Sequence, residues 1–192
     1  MERDVFSAGL QCDSLELSQD IQNQKLFVEY TKLLYKCAQS KQLLEVENDM
    51  DAYRYALDAL SHWARICVLE QGHYPEVSIM MQIKSINYGI YKLYEELTTS
   101  SESIKQRVEL VLLACEFGMG GILEKCSIPL MDTLRSRSDC WSIEELREIA
   151  GLQEVGDDIR LVLDKLTKKS FVKAVFVTSD PELNDLTMTY MV

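Results

Sequence analysis

The sequence predicts a mainly α protein: an antiparallel helical bundle followed by a small winged-helix-like α+β module. Two observations predict the bundle, namely apolar residues that recur at intervals of three, four and seven, and short links between the periodic segments. A third observation predicts the module, because two β-rich runs appear only after residue 170. We therefore expect an irregular leader at 1–17, a helical domain at 18–139 and the module at 140–192.

The first two helices of the bundle have the clearest periodicity. One apolar stripe continues from about Leu17 to Leu44 and predicts a long first helix. A second helix is predicted from Asp51 to Gln71, where Gly72 supplies the left-handed residue that ends many helices. Apolar side chains occupy one broad arc of this second helix and a narrow polar stripe lies opposite, as is typical of a bundle helix.

Two further helical segments complete the predicted bundle. A third helix is expected to open at Pro75 and to be interrupted near 87–89. A fourth is expected from about Ser103 to the glycine-rich run 118–121, which we interpret as a helix terminus. Because proline lacks an amide hydrogen, Pro129 predicts either a separate helix or a kinked continuation.

The character of the sequence changes after Asp139. Ser142 and Glu145 have the spacing of a capping box, in which each side chain binds a free amide at the helix start, so a helix is predicted over 143–150. A second helix is predicted over 157–169, with acidic residues near its start and lysines at its end. The β-rich runs that follow are 171–178 and 185–192. Two helices and a hairpin, in this order, predict a winged helix-turn-helix.

The charge of the chain excludes some classes of partner. Thirty-one acidic residues against twenty Lys plus Arg give a formal net charge of −11. This field repels phosphate backbones and anionic membranes, so nucleic acid and membranes are disfavoured partners. The chain has no apolar run long enough to cross a bilayer and does not open with a basic, apolar leader, and we expect a cytoplasmic protein.

The cysteines indicate neither a disulfide scaffold nor a metal site. All six stand far apart, mostly inside apolar helical stretches. None belongs to a Cys-x-x-Cys pair, and only His62 and His73 are available as histidine ligands. We expect reduced thiols, no metal and no cofactor.

The polar stripe of the second helix is the candidate ligand-binding site. Asp58 and His62 are one helical turn apart, so the carboxylate is expected to orient the imidazole, while Arg65 is suited to hold a phosphate or carboxylate. Glu70 and His73 follow nearby and are included in the site. The alternative is a solvated helix face whose i,i+4 ion pairs serve only the helix.

Three arrangements that resemble catalytic motifs are rejected. Seven residues separate Arg65 from His73, a longer spacing than ribonuclease-like helical domains require, so the two side chains would diverge. Glu95 and Glu96 are adjacent and point to different faces of a helix, which argues against paired-carboxylate catalysis. The glycines of 118–121 follow a helix, and no Gly-Lys-Ser/Thr completes a phosphate loop. We predict no catalytic residue.

The winged-helix module suggests a transcriptional regulator as an alternative function. Against DNA binding, residues 141–192 hold six Lys plus Arg and ten Asp plus Glu, and the helix expected to enter the groove begins with Asp157 and Asp158. A wing that contacts protein, as in a structural dimerisation module or homodimer, is the remaining alternative.

Two stretches carry a resemblance to a known family. Residues 51–77, DAYRYALDALSHWARICVLEQGHYPEV, and 92–103, KLYEELTTSSES, resemble the helical region of the YgxA-like proteins of Firmicutes, which are grouped as nucleotidyltransferase-like. The capped helix at Trp141 and Ser142 and the closing hairpin are similar to that family's C-terminal helix-turn-helix. The resemblance implies a nucleotidyltransferase-like domain, a substrate-binding helical domain and a C-terminal module.

The chain departs from that pattern in the features of the catalytic domain. A nucleotidyltransferase core needs Gly-Ser at a helix start and Asp-x-Asp on a strand to hold the triphosphate and magnesium. The chain has no Gly-Ser and no Asp-x-Asp on a predicted strand. Our leading hypothesis is a non-catalytic accessory or substrate-binding part of a nucleotidyltransferase-like protein. Its expected partner is a nucleotidyltransferase-like domain or a small anionic ligand.

Overall fold

A computed structural model describes residues 18–180 and 185–192 of the chain. The predicted leader at 1–17 and most of the predicted hairpin loop, residues 181–184, lie outside these ranges. The described chain is mainly α, with a small three-stranded antiparallel sheet near the C-terminus. This confirms the predicted fold class.

In the part of the chain that the structure describes, six helices precede the sheet. Long helices α1 and α2 form the most extensive helix–helix contact, and α5 packs across both of them. The six helices are α1 (Gln19–Glu45), α2 (Asp49–Glu70), α3 (Ile79–Ile86), α4 (Tyr88–Thr99), α5 (Ile104–Cys126) and α6 (Ile128–Arg135). The largest fully buried side chains lie mainly on α1 and α2, where the apolar stripes of the sequence predicted them, and they include Phe27, Tyr30 and Leu60.

The connection between α2 and α3 differs from the prediction. Gly72 lies just beyond the end of α2 and has φ +77°, a left-handed conformation that glycine adopts readily. Pro75, however, does not open a helix, since α3 begins only at Ile79. The expected interruption is confirmed at Asn87, whose side chain accepts hydrogen bonds from the first amides of α4.

The glycine-rich run does not end a helix, contrary to the prediction. Helix α5 continues through 118–121 to Cys126. A Cβ added at Gly118 would overlap the indole of Trp63 on α2, so the glycine permits close packing of two helices. Pro129 falls in the first turn of α6. Of the two predicted alternatives, a separate helix and a kinked continuation, the structure therefore has the separate helix.

Within the described residues, the C-terminal module contains three strands, two α-helices and a 3₁₀ helix. Its elements are β1 (Trp141–Ser142), α7 (Ile143–Glu148), a 3₁₀ helix (Gln153–Asp158), α8 (Ile159–Lys168), β2 (Lys173–Asp180) and β3 (Asp185–Met191). The Ser142–Glu145 capping box is present as predicted. The sheet order is β1-β3-β2, so β2 lies at an edge. Short β1 was not predicted; it pairs Trp141 with Tyr190 of β3.

The module packs on the helical domain through α1. The 3₁₀ helix and α8 both contact α1, and their buried residues belong to the same hydrophobic core as those of α1 and α2. Lys32 on α1 forms an ion pair with Glu154 of the 3₁₀ helix, with 3.1 Å between Nζ and Oε1. A cavity remains beside this contact.

Candidate functional site: a cavity between the helical domain and the C-terminal module

The cavity has a volume of about 610 Å³ and three walls. Helix α1 supplies the first wall, and the end of α2 with the following loop supplies the second. The third wall is the segment from Gly151 to Glu154 in the C-terminal module. Its volume falls within the range of roughly 300–1,000 Å³ typical of small-molecule sites.

Arg65 brings an incompletely paired cation to this cavity. Its Nε is buried and has no hydrogen-bond partner among the described residues. Its Nη1 lies 3.9 Å from Glu29 Oε1, a loose contact compared with a bidentate guanidinium–carboxylate pair. A guanidinium that lines a cavity and is only loosely paired is suited to hold an anion.

Glu29 is committed mainly to His62. Its Oε2 lies 2.7 Å from His62 Nδ1, and the side chains are only 14% and 17% exposed. The expected pairing of Asp58 with His62 is therefore wrong, because α1 presents a carboxylate that is closer to the imidazole. The His62–Glu29 contact joins α1 to α2 behind Arg65.

Asp58 belongs to a separate interaction on the same helix face. Its Oδ2 accepts a hydrogen bond from Lys36 Nζ at 2.8 Å, and the same ammonium lies over the ring of Tyr55. Lys36 is on α1, so this pair also joins α1 to α2. The predicted polar stripe thus faces α1 in part, and the picture of an entirely solvated face is wrong.

Glu70 and His73 lie apart from this group. Glu70 forms an ion pair with Lys125 of α5 at 3.0 Å, and His73 is exposed beyond the end of α2. The structure therefore brings His62 and Arg65 together through Glu29 and does not gather all five predicted residues into one site. Of the five, Arg65 lines the cavity.

Several residues of the cavity carried no signal in the sequence. Lys25 lines it from α1 and lies over the ring of Tyr74 in the loop after α2, with 5.7 Å between Nζ and the ring centroid. Gln24 and Gln153 add two amide side chains. These residues are far apart in sequence and have no recognisable spacing, so the fold alone identifies them as neighbours.

The charged side chains around the cavity differ in how well they are paired. Both acidic lining residues, Glu29 and Glu154, have short contacts with His62 and Lys32 respectively. Lys25 has no ion-pair partner within the described residues, and Arg65 has only its loose one. Counted with Lys32, which pairs with Glu154, the charged side chains at the cavity are three positive (Lys25, Lys32 and Arg65) and two negative (Glu29 and Glu154), so the formal balance that remains for a ligand is positive.

Residues 18–180 and 185–192 contain neither a metal-ligand cluster nor a membrane-spanning helix. No group of His, Cys, Asp and Glu in this part of the chain is arranged to hold a metal ion. The Asp-x-Asp formed by Asp49 and Asp51 lies in the first turn of α2, not on a strand. None of the described helices combines the length and apolar character needed to span a bilayer.

Comparisons with known proteins agree with this architecture. The uncharacterized protein YgxA of Bacillus subtilis (strain 168) is 34% identical over 148 residues, which are 77% of this chain and 50% of the relative. A nucleotidyltransferase-like protein from Exiguobacterium sibiricum 255-15, solved by crystallography, is 28% identical with a TM-score of 0.81. That match covers 91% of this chain and 60% of the solved chain.

The chain spans about half the length of the curated relative that it matches. The helical part of the chain matches a family that is named for substrate binding. The profile of the YgxA-like substrate binding domain matches residues 23–121, which extend from α1 almost to the end of α5 and make up just over half of the chain. These matches confirm the resemblance, and the chain belongs to the YgxA-like substrate binding domain family.

Proposed function

We propose that this chain is a non-catalytic substrate-binding part of a nucleotidyltransferase-like protein, and that it holds a small organic anion at Arg65. The single observation that carries the proposal is that the Arg65 guanidinium lines a cavity of ligand size and has only one loose ion-pair contact among the described residues, 3.9 Å from Nη1 to Glu29 Oε1. An oxyanion of a ligand would pair with the N–H donors that this loose contact leaves available. Lys25 adds a second cation on the facing helix.

The arrangement around Arg65 supports binding more than reaction chemistry. Glu29 and His62 form a close contact with each other, and Glu154 is paired with Lys32, so these groups serve as supports for the walls. The family name describes substrate binding, and the solved relative is described as nucleotidyltransferase-like. We infer that a nucleotidyltransferase-like domain is the partner that supplies the reaction.

A thermal-shift screen with phosphate- and carboxylate-bearing metabolites tests the anion site. We expect hits that raise the melting temperature of the wild type and lose at least roughly tenfold in affinity in Arg65→Ala, because a hydrogen bond to a charged group contributes about 1.5–3 kcal/mol. Arg54→Ala is the matched control, since Arg54 lies on the same helix and pairs with Asp51. Equal affinity in wild type and Arg65→Ala contradicts the proposal.

A second role is favoured by the hairpin of the C-terminal module. The order of helices and strands supports a winged-helix-like module, with β2 and β3 as the wing. Phe176 on edge strand β2 is 63% exposed, and its neighbour Val177 and cross-strand partner Met188 are exposed as well. Because an open apolar edge pairs readily with another strand, we propose that the wing contacts protein, with a second copy as the first candidate.

Light scattering at several protein concentrations tests this second role. Phe176→Glu is expected to shift the mass toward the monomer if the wing joins two copies, because it places a charge in an apolar contact. Val46→Glu is the control, since Val46 is also exposed but lies at the α1–α2 turn. A wild type that stays monomeric at every concentration contradicts self-association. Binding of DNA fragments that weakens steeply with salt would instead support the regulator alternative.

A further inference from the structure

We propose that the ligand site is completed by the C-terminal module, and that the Gln153 amide recognises the part of the ligand beyond its anionic group. This inference rests on the proposed anion site at Arg65. The family profile for substrate binding ends at residue 121, yet one wall of the cavity is formed by Gly151, Gln153 and Glu154. The helical domain alone therefore presents an open half of the site.

The wall is held in place from inside the module. Leu152 and Val155 are 1% and 7% exposed and belong to the hydrophobic core, whereas Gln153 and Glu154 between them are exposed. Two buried anchors on either side of two exposed polar residues fix which side chains face the cavity. The Lys32–Glu154 ion pair adds a direct tie to α1.

Gly151 brings this wall close to α1. It has φ +89°, a conformation that side-chain-bearing residues rarely adopt, and the Gln24 side chain lies against it. The turn thus brings the backbone of the module against Gln24 of α1, at the edge of the cavity. Gln24 and Gln153 both line the resulting space.

The donors and acceptors of the cavity define the class of ligand. Arg65 and Lys25 offer cationic donors on the side of the helical domain. Gln153 Nε2 donates to the Glu148 carbonyl at 3.2 Å, so its Oε1 is left to accept from a ligand hydroxyl or amino group. The matching ligand is an organic phosphate or carboxylate that carries hydroxyl or amino groups at its other end.

The size of the cavity supports a ligand longer than an inorganic anion. At about 610 Å³ it exceeds the needs of a phosphate group, and its walls include apolar side chains from α1 and α2, namely Ile21, Val28 and Leu69. An apolar or planar body between an anionic end and a polar end would cover them. AMP has all three parts, and inorganic phosphate has only the first.

Titration calorimetry of the full chain with AMP and with inorganic phosphate separates the two parts of the site. We expect Gln153→Ala to weaken AMP binding roughly threefold to tenfold, the effect of one lost hydrogen bond, and to leave phosphate binding unchanged. Arg65→Ala is expected to weaken both. Gln42→Ala, an exposed glutamine at the opposite end of α1, is the matched control. Circular dichroism melting of each variant verifies that the fold is retained.

Hydrogen exchange supplies a second readout that does not depend on a substitution. AMP is expected to slow exchange of the amides of 151–155, and phosphate is not. If Gln153→Ala binds AMP as tightly as Gln42→Ala does, or if the wild type binds phosphate but not AMP, the inference is overturned and the anion site at Arg65 stands. If the wild type binds neither AMP nor phosphate, this inference is overturned. The metabolite screen then tests the anion site at Arg65 separately.

Discussion

The indole of Trp63 on α2 occupies the space that a Cβ of residue 118 on α5 would need. Glycine at this position lets the two helices approach closely, while the helix continues on both sides of it. The contact explains why a residue with poor helix propensity stands within a long helix. It also lies in the part of the bundle that positions α2, and with it Arg65.

Gly118→Ala is expected to reduce the free energy of unfolding by about 1–3 kcal/mol, because the added methyl group forces Trp63 to move. Gly121→Ala is the matched control in the same helix, since a Cβ there meets nothing within 4 Å. This control is expected to stabilise the protein by about 0.5–1 kcal/mol, the usual gain for replacing glycine in a helix. Urea unfolding of both variants measures the difference. A Gly118→Ala variant as stable as Gly121→Ala would show that the helices are not in close contact.

Removal of the charge beside Arg65 is expected to strengthen anion binding. Glu29→Gln retains a hydrogen-bonding group for His62 but removes the negative charge 3.9 Å from the guanidinium. Affinity for inorganic phosphate should rise about twofold to fivefold at low salt, the effect of a partly exposed charge pair. Glu70→Gln, whose carboxylate pairs with Lys125 instead, is the control and should leave the affinity unchanged. Weaker binding in Glu29→Gln would indicate that Glu29 itself contacts the anion.

The capping box of α7 is expected to contribute a pH-dependent part of the stability. The hydrogen bond from Arg137, at 2.7 Å, and that from the Ser142 amide lower the pKa of Glu145 from 4.5 to about 2. A lowered carboxyl pKa stabilises the fold above pH 4.5, and this contribution is lost as the pH falls to about 2. Glu145→Gln should therefore cost about 1 kcal/mol at pH 7 and progressively less below pH 4.5.

Denaturant titrations at several pH values check this expectation, with Glu144→Gln as a control that changes the net charge equally. A difference between wild type and Glu145→Gln that stays constant from pH 7 to pH 2.5 would contradict it.

Burial is expected to protect Cys126 from alkylation in the folded protein. Desolvation is the main cause that raises its pKa to about 12, and the charge of Glu70 adds to this. Since the thiolate is the reactive form, iodoacetamide at pH 8 should modify half-exposed Cys140 well before Cys126. Peptide mapping by mass spectrometry measures both rates, and unfolding in urea should make them similar. Equal rates in the native state would show that Cys126 is accessible.

The parts of the fold that could be predicted were those with a strong local pattern. The apolar stripe of α1 from Phe27 onward, the stripe of α2, the capping box at Ser142 and the left-handed Gly72 all have causes within a few residues, and each was found where predicted. The packing role of Gly118 within α5 depends on Trp63, which is distant in sequence. Two-residue strand β1 exists only because β3 pairs with it.

The site was harder to predict because its contacts cross between elements. Spacing within α2 suggested that Asp58 would orient His62. A side chain on an adjacent helix can pair with the same imidazole, however, and sequence spacing does not reveal it. Here α1 offers Glu29 to His62 and Lys36 to Asp58. Gln153 joined the cavity only through tertiary packing, and no periodicity connects it to Arg65.

Helix α1 is buried on one side by α2 and on another by the C-terminal module, so a single hydrophobic core includes residues such as Leu26, Leu60 and Ile159. The change of sequence pattern near residue 139 therefore does not interrupt the apolar interior. Heat should melt the protein as one cooperative unit, with a calorimetric enthalpy equal to the van't Hoff enthalpy. Cleavage near that boundary would leave an apolar groove along α1 open to water, and both fragments would tend to aggregate.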